Sequence, residues 1–140
     1  MPRRAWAVLI VAGLALAGCS AMPAATNPTG NSPSPSPVVT APPGGVLLTD
    51  AGFTHAPAGF SIPAGLTPAS STNLSQLVTV VFNPGDGGAV YAYLSANLGG
   101  MGCPVTAASA DSITWKCGDW DGGFTMTPRQ AGLTLRCMAG

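Results

Sequence analysis

The spacing of apolar residues changes near Gly102, and this change limits the chain to a mixed fold. Before Gly102, four apolar residues recur three or four positions apart, as on one face of an α-helix: Val90, Tyr91, Leu94 and Leu98. After Gly102, apolar and polar residues alternate, which is typical of strands with one buried side. The chain is therefore predicted to combine one helix with several strands.

The strands flank the predicted helix on both sides. Leu77 to Phe82 is a β-branched run typical of a buried strand. Alternating segments at 103–107, 113–117, 124–126 and 133–137 predict four more, separated by turns near Asp111, from Asp119 to Gly123 and from Pro128 to Gly132. This order predicts an α+β fold, β-α-β-β-β-β, with one helix packed on a small antiparallel sheet.

The helix boundaries also have sequence signals. Asn83 is a candidate N-cap, Pro84 suits the first helical position, Asp86 favours the positive end of the helix dipole, and Gly99-Gly100 ends the helix. The region from Val46 to Gln76 is rich in Gly, Pro, Ser and Ala and has no clear period. Within it, Leu66 to Ser71 is predicted as a short edge strand.

The first 18 residues are typical of an export signal. Arg3 and Arg4 precede an uncharged apolar stretch from Ala5 to Gly18, which is short for a membrane span. This stretch ends in Leu16-Ala17-Gly18, and Cys19 follows. These four residues resemble the lipobox of bacterial lipoproteins at every position. This resemblance implies diacylglycerol transfer to the Cys19 thiol, cleavage before Cys19, and a lipid anchor on the extracytoplasmic face of the cell membrane.

The segment from Ser20 to Gly45 contains Pro, Ser, Thr, Ala, Asn and Gly, and it has no charged residue. Such a composition cannot bury enough apolar surface to order itself, so we expect a disordered linker. The predicted organisation is a signal peptide at 1–18, the lipidated Cys19 and linker at 19–45, and a small domain at 46–140.

Charge excludes some partners for the mature chain. After removal of residues 1–18, three cationic side chains remain against five aspartates, a formal charge of −2. No basic run is present, so the chain lacks the electrostatic footprint of a nucleic-acid-binding protein. We expect it to contact the membrane only through its N-terminal lipid.

A second resemblance covers roughly residues 60–138. It rests on Ile62 to Leu66, Val80 to Phe82, Tyr91 to Leu94 with Leu98, Gly102 and Val105, and Ile113 to Trp115. These segments resemble a loose group of small actinobacterial lipoproteins whose functions are generally uncharacterised. The resemblance implies the fold and the location, and it transfers no catalytic residue.

Three cysteines follow Cys19, and an exported domain lies where disulfides persist. If the turn near Ala110 is symmetric, Val105 faces Trp115, Ala107 faces Ile113, and Cys103 faces Cys117 at bonding distance. Cys137 would then lie two strands from Cys117, and we interpret it as a small buried residue. A register that places the last strand beside the Cys117 strand would instead join Cys117 to Cys137.

The remaining polar and aromatic residues give few signals of chemistry. Asp119 and Asp121 before Gly122-Gly123 resemble the start of a calcium loop, but the chain has no glutamate, and a solvated turn is favoured. Trp120, at the predicted turn tip, is a candidate exposed contact for a glycan, lipid or protein. His55 is the only histidine, and we expect no metal site, cofactor or catalytic triad.

The sequence therefore favours a non-enzymatic lipoprotein module that binds a ligand or partner in the cell envelope. The alternatives are a structural wall-associated lipoprotein and, more distantly, a small hydrolase. An apolar concavity between helix and sheet or an exposed patch around Trp120 would favour binding, whereas a filled core and polar surface would favour the structural role. Catalytic geometry around His55 would favour the hydrolase.

Overall fold

The computed structural model describes residues 38–139. The strands are β1 (Gly45–Leu47), β2 (Ser61–Pro63), β3 (Ser70–Leu74), β4 (Leu77–Phe82), β5 (Val105–Ala108), β6 (Ser112–Cys117), β7 (Trp120–Met126) and β8 (Ala131–Cys137). Between β4 and β5 lie a 3-10 turn (Pro84–Asp86) and one α-helix, α1 (Gly87–Asn97). The predicted signal at 1–18, Cys19 and the linker up to residue 37 lie outside the described residues. The end of the predicted linker is ordered and not disordered, because β1 begins at Gly45 and the Ala64 N–H donates to the Gly44 carbonyl.

Six strands form one antiparallel sheet in the order β3-β4-β8-β7-β6-β5, and β1 and β2 pair separately. Strands β5 to β8 are a simple meander, and β8 returns to lie beside β4. The prediction of an α+β fold with one helix on an antiparallel sheet is confirmed. In the region without a clear period, the chain adds β1 and β2, which were not predicted. The expected strand at Leu66 to Ser71 is shifted, since β3 runs from Ser70 to Leu74.

The helix packs the predicted stripe against the sheet. Val90, Leu94 and Leu98 are fully buried, and the helix ends where the Cys103 N–H donates to the Leu98 carbonyl. Gly102 adopts a positive φ of 74° in this turn, a conformation that glycine tolerates without steric cost. At the N-terminus the expectation is wrong in detail, because Asn83 makes no side-chain cap and precedes the 3-10 turn rather than α1.

The core lies between one face of the large sheet and a layer made by α1 and the segment before β3. On the sheet side it includes alternate residues of the central strands, such as Val78, Val80, Leu133 and Leu135. The earlier segment contributes Leu48, Phe53, Phe60 and Ile62. The region without a sequence period is therefore ordered by packing onto the sheet and not by local pattern.

Ring stacking and side-chain hydrogen bonds hold this segment against the rest of the fold. Phe60 stacks on Trp115, with ring centroids 5.6 Å apart and 14° between the planes. Asn73 of β3 accepts a hydrogen bond from the His55 N–H and donates to the carbonyl of Gly52. The segment is thus tied to the inner face at β6, next to one edge of the sheet, and to β3 at the opposite edge.

Candidate functional site

The predicted disulfide is present. Cys103 and Cys117 are bonded, with their Cα atoms 4.4 Å apart. Cys137 lies in β8, with β7 between it and Cys117, and it is buried as expected. The bridge therefore joins Cys103 to Cys117 and not Cys117 to Cys137.

The register behind that prediction holds only near the bridge. Val105 faces Trp115 as expected, but an irregularity at Thr106 shifts the pairing. Ala107 consequently faces Thr114, and Ala108 faces Ile113, so the predicted pair of Ala107 and Ile113 is wrong. A bulge on an edge strand is a common way to disturb the row of free backbone groups there.

Trp120 is not an exposed turn residue. The chain reverses at Gly118, which has a φ of 58°, so β7 already begins at Trp120. Its side chain is 8% exposed and belongs to the core cluster. The expected turn from Asp119 to Gly123 is therefore wrong. The candidate role of Trp120 as a partner contact required an exposed side chain, and the side chain is buried.

The polar residues singled out in the sequence make the following contacts. Asp121 forms an exposed ion pair with Lys116, with an N–O distance of 3.3 Å. The backbone N–H of His55 donates a hydrogen bond to the side chain of Asn73. The buried hydroxyl of Ser61, which the sequence did not single out, contacts Tyr93 Oη at 2.8 Å and Met101 Sδ at 3.2 Å. Residues 38–139 contain no group of three or more His, Cys, Asp or Glu that could hold a metal ion.

The outer face of the large sheet has a different character from the inner face. Along β4, β7 and β8 buried residues alternate with exposed or half-buried ones, and the latter share the outer face. The strand pairings order this outer face into rows. The central row contains Thr72, Thr79, Thr134, Gly123 and Thr114.

The two neighbouring rows differ from each other in charge. On one side, Leu77, Arg136, Asp121 and Lys116 lie beside one another across four strands. On the other side, Val81, Gly132, Thr125 and Ser112 do so, and these side chains are small and uncharged. The outer face is thus charged toward one end of its strands and neutral toward the other.

A depression of about 440 Å³ lies in the neutral part of this face, and we call it the trough. Its lining contains four threonines, two glycines, one glutamine and one valine: Thr79, Val81, Gly123, Thr125, Thr127, Gln130, Gly132 and Thr134. The volume falls in the range of small-molecule sites. Sequence reasoning did not identify any of these residues as a site.

The trough exists because two of its positions lack side chains. A Cβ at Gly132 would meet nothing within 4 Å, and at Gly123 it would meet only Thr114 Cγ2 at 3.8 Å. Neither glycine has a positive φ, so backbone conformation does not require glycine at these positions. Absent side chains on adjacent strands β7 and β8 therefore leave the backbone itself as the floor.

The hydroxyl groups around the trough differ in their hydrogen-bond partners. Thr127 Oγ1 bonds to backbone groups of its own turn, including the Gln130 carbonyl at 3.1 Å. Thr125 contacts Ser112 across the strands at 3.4 Å. Thr79 and Thr134 face each other on neighbouring strands and are half-buried in the walls of the trough. The trough can therefore present donors and acceptors of hydrogen bonds without a formal charge.

Comparisons with known proteins add no relative: no family model, curated protein or solved structure matches the chain. In the described part of the chain, no helix is long and apolar enough to cross a membrane.

Proposed function

We propose that this chain is a membrane-anchored extracytoplasmic lipoprotein whose domain is a non-enzymatic binding module of the cell envelope. Leu16-Ala17-Gly18-Cys19 after an apolar leader supports the anchor. The observation that carries the binding role is the trough on the outer face of the sheet. A surface hollow lined by uncharged hydrogen-bonding groups suits recognition better than bond-breaking chemistry.

The anchor has a direct test. Replacing Cys19 by Ser removes the thiol that forms the thioether to diacylglycerol, so the variant is expected to leave the detergent phase in a phase-partitioning assay. Wild-type protein should remain in that phase because acyl chains hold it there. Equal partitioning of the two proteins would contradict the anchor.

The binding role is tested by native mass spectrometry of protein purified from the envelope in mild detergent. Wild type should carry an additional mass beyond its lipid. Gly132→Val should lose that mass because a β-branched side chain fills the trough, while strand propensity favours the substitution. Thr72→Val is the matched control, since it alters the same face on the edge strand β3, outside the trough. Loss in both variants, or in neither, would contradict a binding role for the trough.

A structural envelope lipoprotein is the second candidate. The buried Trp120 favours it, because this large aromatic side chain contributes to the core and not to a contact surface. In that case, wild type and Gly132→Val should carry the same masses and support the same envelope integrity.

A further inference from the structure

We infer that the trough binds an uncharged glycan of the cell envelope. This inference rests on the proposed binding function and adds the chemical class of the ligand. It follows from the uncharged lining of the trough and from the hydrogen-bonding groups in that lining.

The trough offers no partner for an ionic ligand. None of its lining side chains carries a formal charge. Arg129 lies in the turn between Thr127 and Gln130, but its exposed side chain is not part of the lining. The charged row on the same face includes Arg136, two residues along β8 from Thr134 and thus roughly 7 Å away. In that row Asp121 is already paired with Lys116. A charged group in the trough would lose water without gaining a counter-ion, which is unfavourable.

The trough also suits neither an extended peptide nor an acyl chain. Peptides that bind to sheets add to a free edge, whereas β8 is paired on both sides, with β4 and with β7. Its backbone groups therefore serve the sheet. An acyl chain would cover the hydroxyls of Thr79 and Thr134 without giving them hydrogen bonds, at a cost for each.

A neutral sugar carries no charge and can form hydrogen bonds with the lining. Its hydroxyls donate and accept hydrogen bonds, as do those of Thr79 and Thr134, and the Gln130 amide adds one group of each kind. The trough extends from β4 across β8 to β7, two strand spacings or roughly 10 Å, which accommodates a short oligosaccharide. The absent side chains at Gly123 and Gly132 let a ring lie close to the backbone.

The test is saturation-transfer NMR with the lipidated full mature chain in lipid nanodiscs. The probes are a neutral N-acetylglucosamine trisaccharide, a neutral mannose trisaccharide, a carboxylated oligosaccharide and an uncharged Ala/Ser hexapeptide. At least one neutral trisaccharide should receive saturation. Gly132→Val should abolish that signal, and Thr72→Val should leave it unchanged. Thr79→Val combined with Thr134→Val should weaken binding about thirtyfold, the effect of losing two hydrogen bonds of typical strength.

Other outcomes would overturn the inference. If only the peptide or the carboxylated sugar binds, and Gly132→Val abolishes that signal, the glycan inference is wrong while the binding function stands. If no probe gives a signal that Gly132→Val removes, the glycan inference is also wrong. Native mass spectrometry then decides separately whether the trough carries any ligand. Unchanged thermal unfolding of Gly132→Val verifies that its loss of signal is not a loss of fold.

Discussion

Gly122 and Gly123 are neighbours on β7. Replacing each by alanine should change the free energy of unfolding by very different amounts. Gly122 faces the core, where Trp115 is its cross-strand partner. A Cβ there would overlap the indole at Nε1 and Cε2, and even Cζ2 would lie only 2.6 Å away. Carbon atoms in contact prefer about 3.5–4.0 Å, so the ring would have to move by roughly 1 Å or more.

The indole has little freedom to move, because Trp115 is 1% exposed and stacked on Phe60. Overpacking a core costs about 1–3 kcal/mol, and this overlap belongs at the upper end, near 3 kcal/mol. For a domain of this size, such a loss lowers the melting temperature by roughly 12–24 °C. It is also a large fraction of the stability of a small domain, about 5–15 kcal/mol.

Gly123→Ala is the matched control. Its Cβ would project to the outer face and meet only Thr114 Cγ2 at an ordinary contact distance of 3.8 Å. Because alanine restricts the unfolded chain more than glycine does, this variant should be neutral or more stable by up to about 1 kcal/mol. Urea unfolding followed by the fluorescence of the buried tryptophans measures both variants. Free energies of unfolding within about 0.5 kcal/mol of each other would refute the packing argument.

Three further predictions concern single contacts. Removing the Cys103–Cys117 bridge by replacing both cysteines with Ala should destabilise the domain by roughly 3 kcal/mol, since the bridge closes a loop of about 15 residues; calorimetry of the variant and the wild type measures the loss, and an unchanged melting temperature would count against it. Tyr93→Phe removes a 2.8 Å partner from the buried Ser61 hydroxyl and should cost about 1 kcal/mol in urea unfolding, whereas a gain in stability would contradict that contact. Asn73→Ala should speed amide exchange at His55, whose N–H donates to the Asn73 side chain, and unchanged protection there would show that the bond does not hold the segment.

Most of the sheet could be predicted from the sequence, because its central strands have one apolar side. A β-branched run placed β4, alternation placed β6 and β8 closely, and spacing by three or four residues indicated the helical stripe of Val90, Leu94 and Leu98. The disulfide followed from the register of one short hairpin, which is a local property. The pairing of β4 with β8 joins segments that are far apart in the chain, so no local pattern predicted it.

The wrong expectations have identifiable causes. Glycine at 122 hid the alternation of Trp120 with Phe124, and the two aspartates favoured a turn, so the start of β7 was missed. β3 consists largely of small polar residues on the edge of the sheet, where packing imposes little pattern. β1 and β2 have three residues each, too few to show a period.

The trough could not be predicted because it depends on which strands lie side by side. Thr79 and Thr134 are 55 positions apart in the chain and meet only because β8 returns beside β4. Gly123 and Gly132 appeared in the sequence as turn residues, since glycine is common in turns. In the fold both occupy strands, where the missing side chains create space rather than permit a reversal.

The central claim is that the trough is where this module meets its ligand in the envelope. Site-directed photocrosslinking in intact cells tests it most directly, with a photoreactive residue placed at Thr134 in one variant and at Thr72 in the other. The account predicts an adduct of constant mass at position 134, absent at position 72 and removed by Gly132→Val. Adducts at neither position, or at position 72 alone, would contradict it.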